Sequence, residues 1–165
     1  MKTLFSIFLA TSLPFTSSML EDNRTFTSVF VDRHHDVHAT NSQGKDFLLT
    51  RSKDAYDVKI SPNGKTVTWR KMTGHRLFKA NGSEISIFHD GIVKSLKCEP
   101  KIRDYWFWKG GKKIAIDCGG DHFAGREMLY DVKTLITEEI FDQAEIPPEN
   151  RPNWSQSSDN FLGEK

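Results

Sequence analysis

The sequence lacks an excess of charge of either sign. Its 165 residues hold 23 lysines and arginines against 22 aspartates and glutamates. Lys2 lies in a segment expected to be removed, so the remaining chain balances. A neutral surface argues against nucleic acid or an anionic membrane as partner, because both demand a basic face. Long apolar runs are also missing. Beyond residue 15 nothing is apolar for long enough to form a membrane-spanning helix, so no membrane insertion of the mature chain is expected. Cysteine is scarce, with Cys98 and Cys118 the only two. Neither stands in a CxxC pair or beside a histidine, which argues against a thiol site. There is no phosphate loop, dinucleotide fingerprint or nucleophile elbow.

The chain opens on an export signal. Lys2 gives one positive charge, residues 3–15 are uncharged and apolar or small, and Thr16-Ser17-Ser18 supplies small residues at the positions a signal peptidase reads. Pro14 interrupts the run, which favours a removed signal over an anchor. Cleavage is expected after Ser18, leaving a periplasmic or secreted protein. In an oxidising compartment Cys98 and Cys118 are expected to form one disulfide, closing a loop of about 20 residues and contributing roughly 3 kcal/mol.

The mature chain is punctuated like an antiparallel β protein. Tyr105 to Trp108 is a wholly aromatic run, followed by the turn Lys109-Gly110-Gly111-Lys112 and the alternating strand Lys113 to Cys118. Met128 to Val132, the turn Lys133-Thr134 and Leu135 to Phe141 complete a unit over residues 104–141. An earlier unit covers 56–98. It comprises Tyr56 to Ile60, the turn Ser61-Pro62-Asn63-Gly64, Lys65 to Lys71, Ser83 to Phe88, the turn His89-Asp90-Gly91 and Ile92 to Cys98. Leu77 to Ala80 is read as an extension of it. Short β-branched and aromatic runs stopped by Gly, Asp or Asn are the mark of a meander. Upstream, Phe26 to Val31 and Phe47 to Thr50 are expected strands, whereas Arg33 to Lys45 reads as a long loop. Tyr105 to Trp108 is apolar on both faces, so it is expected to be central and buried. One β domain over 19–146 is expected, then an extended polar tail over 147–165 with Trp154 docked on the domain.

The two units repeat at a period of roughly forty-five residues. Ile60-Ser61-Pro62-Asn63-Gly64-Lys65-Thr66-Val67 resembles the SPDGK turn of TolB-type and WD40-like β-propeller blades. Leu129-Tyr130-Asp131-Val132-Lys133-Thr134 resembles the LYDVxTG outer hairpin of the same families, with Leu135 where glycine is usual. The resemblance covers about residues 56–141 and implies two four-stranded blades serving as a binding scaffold. A closed propeller needs about four blades or more, and only two blades and a remnant at 26–50 are available. The expected fold class is therefore all-β, with four-stranded antiparallel meanders packed as a small open propeller-like or sandwich-like domain. Exposed strand edges pair with other chains, so a homodimer is also an expectation.

Two segments could carry a site. Residues 119–127 hold three glycines that let the backbone approach a ligand, together with Asp121, His122, Arg126 and Glu127. These four are the expected ligand-binding residues for a protein partner or small ligand. The plainer alternative has Phe123 plugging the core and Arg126 bracing the loop against Glu127 or Asp104. Asp121 and His122 could serve as an acid–base pair, yet no nucleophile is tied to them, and no catalytic residue is assigned. The second segment interleaves His34, His35 and His38 with Asp32 and Asp36. Imidazole and carboxylate suit zinc or copper, although the spacing matches no metal motif and a solvated loop explains it equally. The leading expectation is a non-catalytic exported binding module without a cofactor. Its rivals are a metal-binding protein or metal-dependent hydrolase using the histidines, and a secreted inhibitor or envelope structural protein.

Overall fold

The computed structural model describes residues 24–72 and 82–156. The expected signal peptide and the extension at Leu77 to Ala80 lie outside the described residues. Among the described residues, eleven strands form three antiparallel sheets that do not close into a barrel. The first sheet is β1 (Phe26–Val31), β2 (Val37–Asn41) and β3 (Asp46–Leu48). The second is the meander β4 (Ala55–Ile60), β5 (Thr66–Lys71), β6 (Glu84–His89) and β7 (Ile92–Lys97). The third is the meander β8 (Ile102–Trp108), β9 (Lys113–Cys118), β10 (Arg126–Asp131) and β11 (Thr137–Asp142). The all-β class and the two four-stranded meanders are thus as expected.

The sheets stack through their alternating faces. Phe26, Val37 and Ala39 of the first sheet meet Val67, Trp69 and Phe88 of the second. On the other side of the second sheet, Ile85, Ile87 and Leu96 meet Tyr105, Ile114 and Ile116 of the third. The outer face of the third sheet, with Trp106, Leu129 and Phe141, is covered by Trp154 from the C-terminal segment. Trp154 is 2 % exposed. Its indole Nε1 donates to Glu139 Oε2 at 2.6 Å, and its carbonyl accepts from Trp106 Nε1 at 2.7 Å. Both polar ends of this buried pair are satisfied, so the aromatic area is gained without an orphaned donor.

Arg33 to Lys45 is not a long loop, because it contains β2. Only Val37 and Ala39 point inward there, while His38 and Thr40 face out. Two small apolar residues bury a strand without raising its hydrophobicity. The aromatic run also departs from expectation: among the described strands β8 is an edge strand, paired with β9 alone. Its faces are nevertheless covered by the second sheet and by the C-terminal segment. Its outer edge is capped by side chains rather than by a strand. Arg70 donates to the carbonyls of Ile102 and Arg103 at 2.9 Å each, and Lys59 donates to that of Tyr105 at 2.6 Å.

Two turns bear on the propeller-like motifs. Gly64 lies at φ +69° with its α-carbon pressed on β1, where an added Cβ would fall 2.4 Å from the Phe26 carbonyl oxygen. The SPNGK turn therefore also seats the first sheet. In the β10–β11 hairpin, Asp131 Oδ1 accepts from the amides of Lys133 and Thr134 and from the Thr134 hydroxyl. Leu135 sits at φ +58°, in the left-handed region where glycine costs nothing and leucine costs about 1 kcal/mol or more. Its packing against the core between the second and third sheets offsets that strain.

Candidate functional site

The glycine-rich segment 119–125 joins β9 to β10 at one end of the third sheet, and Arg103 anchors it. A register shift between Ile102 and Asp104 marks a β-bulge in β8, and bulges re-aim side chains. The Arg103 guanidinium reaches the loop, where Nη1 donates to the carbonyls of Phe123 at 2.9 Å and Gly120 at 3.3 Å. Nε and Nη2 donate to Asp117 Oδ1 at 3.1 and 2.5 Å, and Nη2 also reaches Gln143 Oε1 at 2.6 Å. Gln143 accepts from the Gly125 amide at 2.8 Å and donates to Asp117 Oδ1 and Glu127 Oε1 at 3.2 and 3.0 Å. Ser155 from the C-terminal segment donates to Glu127 Oε1 at 3.0 Å.

This network is buried: Asp117 is 2 %, Glu127 0 % and Gln143 4 % exposed. Burial raises the Asp117 pKa above the ordinary carboxylate value, outweighing the opposing pull of Arg103, and the neighbouring Glu127 charge adds to the rise. The loop is shaped to fit the guanidinium. A Cβ at Gly125 would fall 2.3 Å from Arg103 Nη2 and 2.4 Å from the Cys118 carbonyl oxygen. The Cys98–Cys118 disulfide, with Cα atoms 5.9 Å apart, ties the end of β7 to the end of β9 beside the same loop.

Above this base lies an open cleft of about 460 Å³, walled by Cys118, the loop glycines, Arg126, Asp142 and Glu145. Arg126 belongs to β10 and not to the loop, and it pairs across the hairpin with Asp142 through contacts of 2.8 and 3.2 Å. The pairing holds the Asp142 carboxyl below, and the Arg126 guanidinium above, their usual values. Its brace is thus Asp142, neither Glu127 nor Asp104. Asp121 is exposed and bound by Lys101, whose ammonium keeps its carboxyl acidic. His122 is also exposed on the loop. Phe123 does not plug the core: it is 75 % exposed, its ring edge lying over Gly120 in the cleft wall. Of the four expected ligand-binding residues, Asp121, His122 and Arg126 reach solvent around the loop, while Glu127 lies sealed in the network below.

The histidines are not gathered. His34 and His35 occupy the turn between β1 and β2, with His35 at φ +65°. Asp32 Oδ1 accepts the amides of His34 and Asp36 at 2.8 and 2.9 Å, and the Asp36 amide is the chief reason its pKa is lowered. His38, on the outer face of β2, lies between two carboxylates, with Nδ1 2.7 Å from Asp46 and Nε2 3.7 Å from Asp32. It also stacks on Phe30 at 4.9 Å. Among the described residues no group of three or more His, Cys, Asp or Glu could hold a metal ion. The tight turn separates the two neighbouring imidazoles from His38, so this arrangement does not fit the expected zinc or copper set.

Sequence reasoning missed Arg103, Gln143 and the exposure of Phe123. One signal was present: Asp117 follows the apolar run Ile114-Ala115-Ile116 within its strand, and a charge there demands a buried partner. Among the described residues no helix is long and apolar enough to cross a membrane, and the disulfide is consistent with an oxidising compartment. No protein-family model matches the chain, and no curated protein sequence matches it.

Proposed function

We propose that the chain is a non-catalytic exported binding module of propeller-blade type that recognises a protein partner through loop 119–125 and the adjoining cleft. The observation that carries this reading is Phe123, exposed at its side chain but held at its carbonyl by Arg103. An aromatic on a loose loop must be ordered on binding, whereas one on a braced loop is presented ready-made, which lowers the cost of association. The surrounding groups suit recognition better than turnover. The Asp121 carboxylate is committed to Lys101, and the buried Asp117 and Glu127 are committed to Arg103, Gln143 and Ser155.

Capture from an envelope extract on the immobilised, oxidised mature chain tests it, with bound proteins identified by mass spectrometry. The expected result is one specific partner, lost at least tenfold with Phe123→Ala, since truncating such an anchor costs about 2 kcal/mol. Phe30→Ala, at a half-exposed aromatic on the outer face of the first sheet, should capture that partner normally. Undiminished capture by Phe123→Ala, or no specific partner, refutes the reading.

A further inference from the structure

A second opening lies away from the loop, where turns of the second and third sheets meet. The β6–β7 turn contributes His89, Asp90 and Ile92, the strands beside it contribute Ile87 and Lys94, and the β10–β11 turn contributes Val132 and Lys133. Together they enclose a cavity of about 140 Å³. Ile87 and Val132 form its apolar floor, at 1 % and 2 % exposed, whereas Ile92 at its mouth is 54 % exposed.

The rim is polar with an excess of positive charge. Lys94 Nζ donates to the Lys133 carbonyl at 2.8 Å, which holds one ammonium across the joint between the sheets. Among the described residues, neither Lys94 nor Lys133 takes part in an ion pair. The one acid on the rim, Asp90, is already engaged, its Oδ2 lying 3.3 Å from His89 Nε2. The other nitrogen of His89 is 2.9 Å from the Thr66 hydroxyl. Two lysines, Lys94 and Lys133, thus line the rim beside one carboxylate that has its own partner.

We propose that this cavity binds a small organic anion with an apolar body, an aromatic or branched-chain carboxylate. Size argues for it: an apolar cavity of about 150 Å³ accommodates one benzene ring. Chemistry argues for it too. The floor offers only dispersion contacts and desolvation, while the rim offers charge-assisted donors to a carboxylate. An inorganic anion would leave the floor uncovered, and an apolar cation would meet two lysines. The site is independent of the loop cleft, and its test does not rest on that reading.

Benzoate is the probe, titrated into the oxidised mature chain by calorimetry and by amide chemical-shift changes. Phosphate, benzamide and benzylamine serve as comparisons. Saturable benzoate binding is expected, with shifts centred on residues 87–94 and 131–134. Benzamide and benzylamine should bind about tenfold or more weakly, and phosphate should not displace benzoate. Lys133→Gln, a surface change, should weaken benzoate about tenfold while leaving benzamide unchanged. Ile92→Trp, which narrows the mouth, should weaken both. Absence of saturable benzoate binding up to about 10 mM overturns the proposal. So does benzamide binding as tightly as benzoate, or indifference of benzoate to Lys133→Gln.

Discussion

Replacing Arg103 by methionine isolates what holds the loop. Methionine matches the arginine side chain as far as Nε, so packing along its stem is largely kept while five hydrogen bonds, to Asp117, Gln143, Gly120 and Phe123, are removed. Asp117 is then left 2 % exposed without its cation. Breaking a buried pair from one side costs about 3–5 kcal/mol, against about 5–15 kcal/mol for a whole domain, so Arg103→Met should remain folded but marginal. The loss should depend on pH. The Asp117 carboxyl already titrates above its ordinary 3.8, and without Arg103 it rises further. A carboxyl with a raised folded pKa retains its stability contribution below the unfolded value and loses it as pH climbs through the folded one. The destabilisation should therefore be small near pH 4 and grow towards pH 7. Urea unfolding across that range measures it, and Arg103→Met with Asp117→Asn should recover about 2 kcal/mol at pH 7 by removing the stranded charge. Amide exchange over 119–125 should quicken in both variants, because neither restores the donors to the loop carbonyls. A cost under about 1 kcal/mol at pH 7, or one unchanged from pH 4 to pH 7, refutes the reasoning.

Two further outcomes follow from single side chains. The Asp131 carboxyl is held down to about 2, first by the Thr134 amide and then by Lys113. Its contribution should be fully present above the ordinary carboxylate value and lost as pH falls through about 2. Allowing for solvent screening at this partly exposed turn, Asp131→Asn should cost about 1 kcal/mol at pH 7 and almost nothing at pH 2 by thermal unfolding. Ser86 is fully buried opposite Trp69, and neither the Ser86 hydroxyl nor the Trp69 Nε1 has a hydrogen-bond partner among the described residues. Ser86→Ala should be neutral or stabilising by about 1 kcal/mol in urea unfolding; a loss beyond that would mean the hydroxyl is satisfied.

Most strands were legible because period-two alternation and turn residues coincide. Ser61-Pro62-Asn63-Gly64 and His89-Asp90-Gly91 mark turns that the structure contains, and the apolar residues between them face the cores. β2 escaped because Val37 and Ala39 are its only inward residues, and the polar Asp and His around them look like loop. β8 was misplaced for a different reason. Alternation reports which faces are covered, and those are covered by stacking, but it does not report hydrogen-bonded neighbours. The caps on its free edge, Arg70 and Lys59, come from more than thirty residues upstream. The location of the candidate site was visible in the glycines of 119–125, whereas the roles of its side chains were not. Hydrophobicity places Phe123 inside and Glu127 outside, and the structure reverses both. Arg103, Gln143 and Ser155 make that reversal, and one sequence contains no signal joining positions so far apart.

That reversal bears on why the network exists. Apolar residues of similar volume at 103, 117, 127 and 143 would fill the same space, and replacing buried ion pairs in this way is often neutral or stabilising. Stability alone is then a weak reason for charges here. Apolar side chains, however, could not grip the carbonyls of Gly120 and Phe123 or the amide of Gly125. Only directional donors and acceptors fix a glycine-rich backbone in one conformation, and the fixed part is the part that carries an exposed phenyl ring beside an open cleft. The desolvation of Asp117 and Glu127 is offset locally by Arg103, Gln143 and Ser155, and its return is geometric. The geometry is retained at the one loop where a solvent-facing aromatic would otherwise have no reason to be held still, and this supports recognition at that end of the sheet.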